Sequence, residues 1–474
     1  MKLATKAIDS VLILSLAAVY LVLQLSGSKT LAGLLGVMVF IAIAILLPQV
    51  KGTTLVLTSL FVAGGAALLA ARQASAAAWF HAAGMNVTLI TLFVFAPLFG
   101  IPVRSPKYVN ALKRFYQSNR MSRTRYYLGT QVLTQMMAVF INVGSVLVVY
   151  HLAAANPQPG AQRLLENALN RGFAGAIFWS PYFAAMTLVS TALDLPWVQL
   201  LPYVLGLSFV SIVVGMASEW RSLRGGAPAQ PQAAEQRSVR AAAESADFRA
   251  QPEASAVSAP HADSPRALVP LIAYLASAIV LILLLERVIG LPMVLIVCFA
   301  AILYPLLWCV GAGALTAYRQ GVKVHLTRTL PSLKKEITLF LTAGFFSGSI
   351  GQTSFSEWIP RLLQMQPLPV PLIFSLLTVI VISATSLIGL HPIVPVTILA
   401  TGIDPASLGI TPMFLAVLLL GSWGLSNPVS PVSAVNNLLA GLTQKDVFKL
   451  AARNYMFTAV MMVLLPLYLF AVRL

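Results

Sequence analysis

Apolar residues along this chain come in long blocks, not in the alternating or amphipathic spacing of half-buried elements. Continuous blocks lie at about 11–27, 31–49, 53–71, 78–102, 197–219, 267–289, 291–312 and 447–472. Each approaches the roughly 20 residues that carry a helix across a bilayer. Three further regions, 126–152, 171–193 and 368–440, are apolar but interrupted by Gly, Pro, Ser and Asn, and 336–351 is apolar and rich in Gly and Ser. The pattern predicts an all-α polytopic membrane protein with about 11 transmembrane helices. Two of the interrupted regions, near 126–152 and 368–403, read as re-entrant hairpins.

Composition sharpens this. Of 474 residues, 58% are hydrophobic and only 9% charged, against about a quarter charged in a soluble domain. A soluble enzyme, a secreted scaffold and a nucleic-acid partner are excluded, although the net charge is +17. Basic excess in a membrane protein follows topology. Cys298 and Cys309 share one apolar stretch and suggest neither a disulfide framework nor a metal site.

Lys2 and Lys6 precede the apolar run Val11–Leu25, but no small-x-small cleavage site follows, so this segment reads as a retained first helix. With the N-terminus cytoplasmic and 126–152 returning to its own side, every basic residue but Lys29, Arg72, Arg287, Arg361 and Arg473 falls inside. That arrangement obeys the positive-inside rule, places the C-terminus outside and suits an inner (plasma) membrane. The densest basic stretch is Arg104, Lys107, Lys113, Arg114, Arg120, Arg123 and Arg125, without an acidic residue. Tyr108, Leu112, Phe115 and Tyr116 within it have helical spacing, which predicts an interfacial helix.

Residues 221–266, rich in Ala, Ser, Gln, Pro and Glu, read as a disordered cytoplasmic linker between two similar halves. Thr91-Leu-Phe-Val-Phe-Ala-Pro-Leu-Phe is echoed by Thr338-Leu-Phe-Leu-Thr-Ala-Gly-Phe-Phe. Ser180-Pro181 is echoed by Ser430-Pro431 at nearly the same spacing. In the topology above the two copies run in opposite directions, so the expectation is an inverted repeat. The divisions expected are N-terminal scaffold helices (1–75), a first repeat (76–220), the linker, further scaffold helices (267–335) and a second repeat (336–474).

Breaks in a membrane helix survive only where protein or water satisfies the freed backbone. The strongest is Gly424-Leu-Ser-Asn-Pro-Val-Ser-Pro-Val-Ser-Ala-Val-Asn-Asn, where Asn427, Ser430, Ser433 and Asn436 supply polar groups around Pro428 and Pro431. Freed carbonyls there suit Na⁺, and helix N-termini suit an anion; the plainer reading is a proline kink. The first-half counterpart is Phe178-Trp-Ser-Pro-Tyr-Phe, with Ser180. The hairpin tips are Ile141-Asn-Val-Gly-Ser145 and Ser386-Leu-Ile-Gly-Leu-His-Pro392. Asn142 and Ser145 on one, and Ser386 and His391 on the other, are therefore candidate ligands, with Na⁺ near Asn142 and Asn427. His391 is also a candidate proton carrier, although an interfacial packing role serves equally.

Asp194, Glu286, Glu357 and Asp404 all fall near predicted membrane ends, so no carboxylate relay is expected. The coupling ion is then Na⁺ on backbone and amide oxygens, or H⁺ through His391. No Walker loop, zinc motif or nucleophile elbow is present, and no further cofactor is implied. The run Gly344-Phe-Phe-Ser-Gly-Ser reads as helix packing.

From about Leu339 to Phe470 the chain resembles the divalent anion/sodium symporters of the ion transporter superfamily. The features that carry this are a Gly-rich helix leading to Glu357-Trp358-Ile359, the hairpin "SLLTVIVISATSLIGLHPIVPVTIL" and the helix "FLAVLLLGSWGLSNPVSPVSAVNNLLAG". Residues of about 85–219 show the same order more faintly. The resemblance implies a scaffold domain, a transport domain holding two opposed hairpins, an elevator mechanism and a homodimer. The family's Ser-Asn-Thr tips are not retained; only Asn142 and Ser386 match them.

The expected function is ion-coupled secondary transport of a small organic anion, a carboxylate, with membrane lipid as the surrounding partner. Two alternatives stay open. One is the large permease subunit of a binding-protein-dependent system, which needs a small membrane subunit or binding protein. The other is a membrane-embedded lipid-handling protein or enzyme, using the basic stretch to hold anionic headgroups.

Overall fold

The computed structural model describes residues 2–118, 121–154, 158, 160–224, 268–353 and 355–474. Most of the predicted linker therefore lies outside the described residues; its first residues close a short helix, Trp220–Arg224. Among the described residues every regular element is helical, and ten helical stretches are long and apolar enough to cross a membrane. The protein is an all-α, multi-pass membrane protein.

The first half opens with α1 (Lys2–Ser26), α2 (Lys29–Leu46) and α3 (Thr53–Ala71). Then come α4 (Ala76–Gly84), α5 (Val87–Phe95), a 3₁₀ turn Ala96–Phe99 and α6 (Gly100–Val103). The basic stretch forms α7 (Pro106–Ser118), and α8 (Arg123–Ile141) with α9 (Gly144–Ala154) makes the first hairpin. A broken helix, α10 (Gln162–Trp179) and α11 (Ala184–Ala192), leads to α12 (Trp197–Ser218) and α13 (Trp220–Arg224).

The second half likewise places a surface helix, a hairpin and a broken helix in succession. It starts with α14 (Val269–Ile289), α15 (Met293–Gly311) and α16 (Leu315–Val324). A π turn (His325–Thr329) and α17 (Leu330–Ser332) lead into α18 (Lys334–Ile350) and the surface helix α19 (Phe355–Gln364). The second hairpin is α20 (Val370–Leu387) with α21 (Ile393–Gly402). The second broken helix is α22 (Pro412–Val429) and α23 (Ala434–Thr443), followed by α24 (Val447–Ala452) and α25 (Tyr455–Ala471).

Two bundles emerge from the packing. In one, α18 lies against α3 and α4, α2 against α4, and α1 against α5. In the other, α10 lies against α8, α12 and α22, while α22 packs on α20 and α25. Lipid gives no hydrophobic drive between helices, so close backbone approach at small residues has to supply the packing. The Gly344 run does this: a Cβ on Gly344 would sit 2.7 Å from the Asn86 Cβ. The broken helices touch the same way, since a Cβ on Gly424 would sit 2.2 Å from the Phe178 ring.

Three predicted spans need correction. The block 78–102 is not one helix: it breaks at Met85-Asn86, where the Asn86 amide donates to the Phe340 carbonyl (3.0 Å), and again at the turn holding Pro97. The block 447–472 is interrupted at Arg453 and Asn454, whose side chains reach Glu166 and Arg171. The break read over Gly424–Asn437 is narrower. The helix continues through Pro428 to Val429 and opens only at 430–433, because donors beyond the break reach back to its last carbonyls.

Candidate functional site

The second break is held by side chains in place of helical bonds. Asn436 donates from Nδ2 to the Pro428 and Ser430 carbonyls, each at 2.9 Å. Those are oxygens that the change of direction at 430–433 frees, and a buried carbonyl left unpaired is costly. Ser433 caps α23 by accepting from the Asn436 amide (3.2 Å), an ordinary N-cap. Ser430 reaches sideways: its hydroxyl donates to the Ser386 carbonyl at 2.8 Å, tying the break to the second hairpin.

Around this knot several oxygens are buried and, among the described residues, unpartnered: Ser383 Oγ, Ser386 Oγ and Asn427 Oδ1. The hairpin tip turns at Gly389, with φ +97°. A Cβ there would lie 3.6 Å from Val432 in the break. His391 follows, its ring edge-on to Phe340 and Trp423 (centroids 5.3 and 5.8 Å apart). Its Nδ1 accepts from the Ile393 amide (3.1 Å), which commits that nitrogen to starting α21.

The first break is organised by aromatic groups. Trp197 Nε1 donates to the Trp179 carbonyl (2.9 Å), and Ser180 Oγ accepts from the Tyr182 amide (3.3 Å). Tyr182 packs on Phe99 and on Phe140 of the first hairpin (4.5 and 5.4 Å between centroids), and its buried hydroxyl finds no partner among the described residues. Asn142 forms the tip itself, exposed, with φ +49°. Ser145 is fully buried just behind it, its hydroxyl likewise unpartnered.

The candidate residues thus fall into two groups. Ser386, Ser430, Ser433 and Asn436 form one bonded constellation, with Asn427 one turn before it on α22 and His391 on the same hairpin. Asn142 and Ser145 belong to the other hairpin, beside the Ser180 break. The link between the halves is a residue that sequence reasoning passed over: Asn170 on α10, whose Nδ2 donates to Asn436 Oδ1 at 2.6 Å.

Sequence reasoning also missed the polar stripe that Asn170 belongs to. Gln162, Glu166, Asn167, Asn170 and Arg171 recur on one side of α10, and that helical spacing was the available signal. Arg171 is 1% exposed. It donates to Tyr127 (3.0 Å), the Gly215 carbonyl (3.1 Å), Ser218 (2.8 Å), Asn454 (3.0 Å) and Glu219 (3.1 Å). Phe457 lies under the guanidinium, 4.7 Å away. Glu166 pairs with Lys445 at 2.7 Å and with Arg453. Three carboxylates outside the group considered from the sequence, Asp9, Glu166 and Glu219, are buried and ion-paired.

At the C-terminal end of α5, His325 Nε2 donates to the Val94 carbonyl at 2.7 Å. Pro97 follows three residues later, so this carbonyl lies where the helix gives way to a tighter turn. Burial pushes the imidazole below its usual range, the bond to Val94 works against that, and the charge of Arg104 adds to it.

Among the described residues no cluster of three His, Cys, Asp or Glu side chains is placed to hold a metal ion. What the second break offers instead is neutral oxygen from hydroxyl, amide and carbonyl groups, the ligand type of alkali cations.

No protein-family model matches the chain, and no curated protein matches it. Among solved structures it is similar to the crystal structure of the Alcanivorax borkumensis YdaH transporter, described as having an unusual topology. The identity is 14%, with 80% of this chain and 83% of that one covered and a TM-score of 0.49.

Proposed function

We propose that the chain is an ion-coupled secondary transporter of a small organic anion, a carboxylate, working by an elevator-type movement of inverted repeats. The observation that carries this reading is that each broken helix lies under the tip of its own hairpin. Phe140 rests on Tyr182 in the first half, and Ser386 accepts from Ser430 in the second. Paired breaks at the end of paired hairpins give two short helices whose termini meet a common region, the arrangement by which membrane transporters hold charged cargo away from lipid.

In this reading the bundle of α1–α6 and α14–α18 stays fixed. The bundle of α8–α12 and α20–α25 moves with the substrate. The unpartnered oxygens of Ser386 and Asn427 take Na⁺ as the coupling ion. His391 has one nitrogen committed to the chain, which favours Na⁺ over a proton relay through that ring.

The test is reconstitution into proteoliposomes, with uptake of labelled succinate, citrate and benzoate under an imposed Na⁺ gradient, a proton gradient or neither. Uptake of one of these anions that depends on the Na⁺ gradient supports the reading. Equal signals with and without every gradient would sink it.

A further inference from the structure

The two hairpin tips differ in the chemistry they leave unsatisfied. Around the second tip the open groups are neutral oxygens on Ser383, Ser386 and Asn427. Around the first tip they are hydroxyls able to donate, on Ser145 and Tyr182, both at least nine-tenths buried, and a guanidinium. The guanidinium is that of Arg104. Its Nη2 lies 3.6 Å from where a Cβ on Gly144 would sit, so it rests against the turn that carries Asn142. Among the described residues Arg104 makes no hydrogen bond or ion pair, and no acidic residue occurs between it and Arg125.

Three further features converge there. Gly144 opens α9, whose Ser145 and Val146 amides close the turn on the Asn142 and Val143 carbonyls (2.9 and 3.1 Å), so that this end of the helix favours negative charge through its dipole. Asn142 is exposed on the same turn, between the two helices of the hairpin, with φ +49°. Arg104 itself follows α6 directly, so its backbone is fixed by the packed segment Gly100–Val103. Arg104, Lys107 and Lys113 are all exposed, and of the three Arg104 is the one that lies against the hairpin.

We infer that Arg104 and the first hairpin tip, Asn142 to Ser145, form an oxyanion-binding subsite, with Arg104 supplying the positive charge that recognises a carboxylate or phosphate group. The inference rests on the transporter reading above and assigns the anion to the first half, leaving the second for the cation. Guanidinium is the cation best matched to a planar oxyanion, because two N–H groups can bond it side by side. Arg104 belongs to the stationary bundle's edge and Asn142 to the moving one. An anion held between them therefore engages Arg104 in this arrangement of the bundles and leaves it when the hairpin moves.

The experiment is ligand-dependent thermal unfolding of the full chain in neutral detergent. Succinate, citrate, benzoate and inorganic phosphate are the probes, used with wild type, Arg104→Gln, Arg104→Lys and Lys113→Gln. A parallel arm compares nanodiscs of phosphatidylcholine with nanodiscs containing phosphatidylglycerol. The expected result is that at least one probe stabilises the wild type, and that its affinity falls about tenfold in Arg104→Gln, the effect of losing a charged hydrogen-bonding partner. Arg104→Lys retains part of the affinity and Lys113→Gln all of it.

The inference is overturned if Arg104→Gln, folded as judged by an unchanged unfolding temperature without ligand, binds the probe as the wild type does. It is also overturned if no probe shifts the wild type, or if only phosphatidylglycerol does so, which assigns the charge to lipid headgroups. Failure of gradient-driven uptake with Arg104-dependent binding intact would instead refute the transporter reading alone.

Discussion

Asn170 and Asn436 are 266 residues apart in sequence, and a 2.6 Å hydrogen bond between their side chains joins the two broken helices. The bond serves more than the pair. The Asn436 amide group that it orients also satisfies the Pro428 and Ser430 carbonyls. The first half of the chain thereby sets the shape of the break in the second.

Replacing Asn436 by Ala leaves two buried carbonyls and the Asn170 amide without partners. Each such group costs on the order of 1–3 kcal/mol, so Asn436→Ala is expected to lower the unfolding temperature clearly and to abolish uptake. Asn170→Ala costs less, since both carbonyls stay bonded. A double-mutant cycle on unfolding free energies should give a coupling of about 1 kcal/mol; strict additivity of the two losses would count against the link.

Arg171 behaves as a structural charge. It is almost fully buried, and removing it leaves Glu219 with only the longer Arg163 contact (3.8 Å) and the Asn167 amide (2.7 Å), where breaking a buried pair typically costs about 3–5 kcal/mol. Arg171→Met should therefore fail to accumulate in the membrane or unfold at much lower temperature. Arg171→Met combined with Glu219→Gln should recover part of the loss, because the buried, poorly compensated charge is gone. Membrane yield and thermal unfolding of the three variants decide this.

Ser386 and Ser430 separate a ligand role from a scaffold role. The Ser430 hydroxyl bonds the Ser386 carbonyl, so Ser430→Ala is expected to cost about 1 kcal/mol of stability. The Ser386 hydroxyl bonds nothing among the described residues, and Ser386→Ala should leave stability within about 0.5 kcal/mol. If that oxygen takes the coupling cation, the same variant needs a higher Na⁺ concentration to reach half-maximal uptake. An unchanged Na⁺ dependence would remove Ser386 from the cation site.

His325 predicts a pH dependence with a definite sign. Its imidazole is held neutral in the folded chain, below the value of 6.5 that an unfolded chain would show. The unfolded state then takes up the proton first, so stability is full above that value and declines as pH falls through it toward the folded pKa. Unfolding temperatures measured from pH 7.5 to 5 should fall in the wild type and less steeply in His325→Gln, which keeps a donor for the Val94 carbonyl. Parallel curves would assign the acid sensitivity elsewhere.

The block pattern of apolar residues was enough to establish an all-helical, multi-pass protein, most of its span boundaries and two of the places where helices break, but not the breaks at Asn86, Pro97 and Asn454. That information is local: apolar length decides what can enter lipid, and Pro, Gly, Ser and Asn decide where a helix cannot hold its own bonds. The tips at Asn142 and Ser386 and the breaks at Ser180 and Ser430 were legible for this reason.

What closes those breaks was not legible, because it depends on which side chain arrives from far along the chain. Asn170, Arg171 and Glu219 carry no signal of their pairing in the residues beside them; each is bonded to a partner on another helix. The exchange of lipid for protein around α10 makes a buried arginine tolerable, and the packing of α8, α12 and α22 against it, with Phe457 under the guanidinium, provides that exchange. The tertiary structure alone decided that one hairpin tip meets the Arg104 guanidinium, unpaired among the described residues, and the other a set of neutral oxygens.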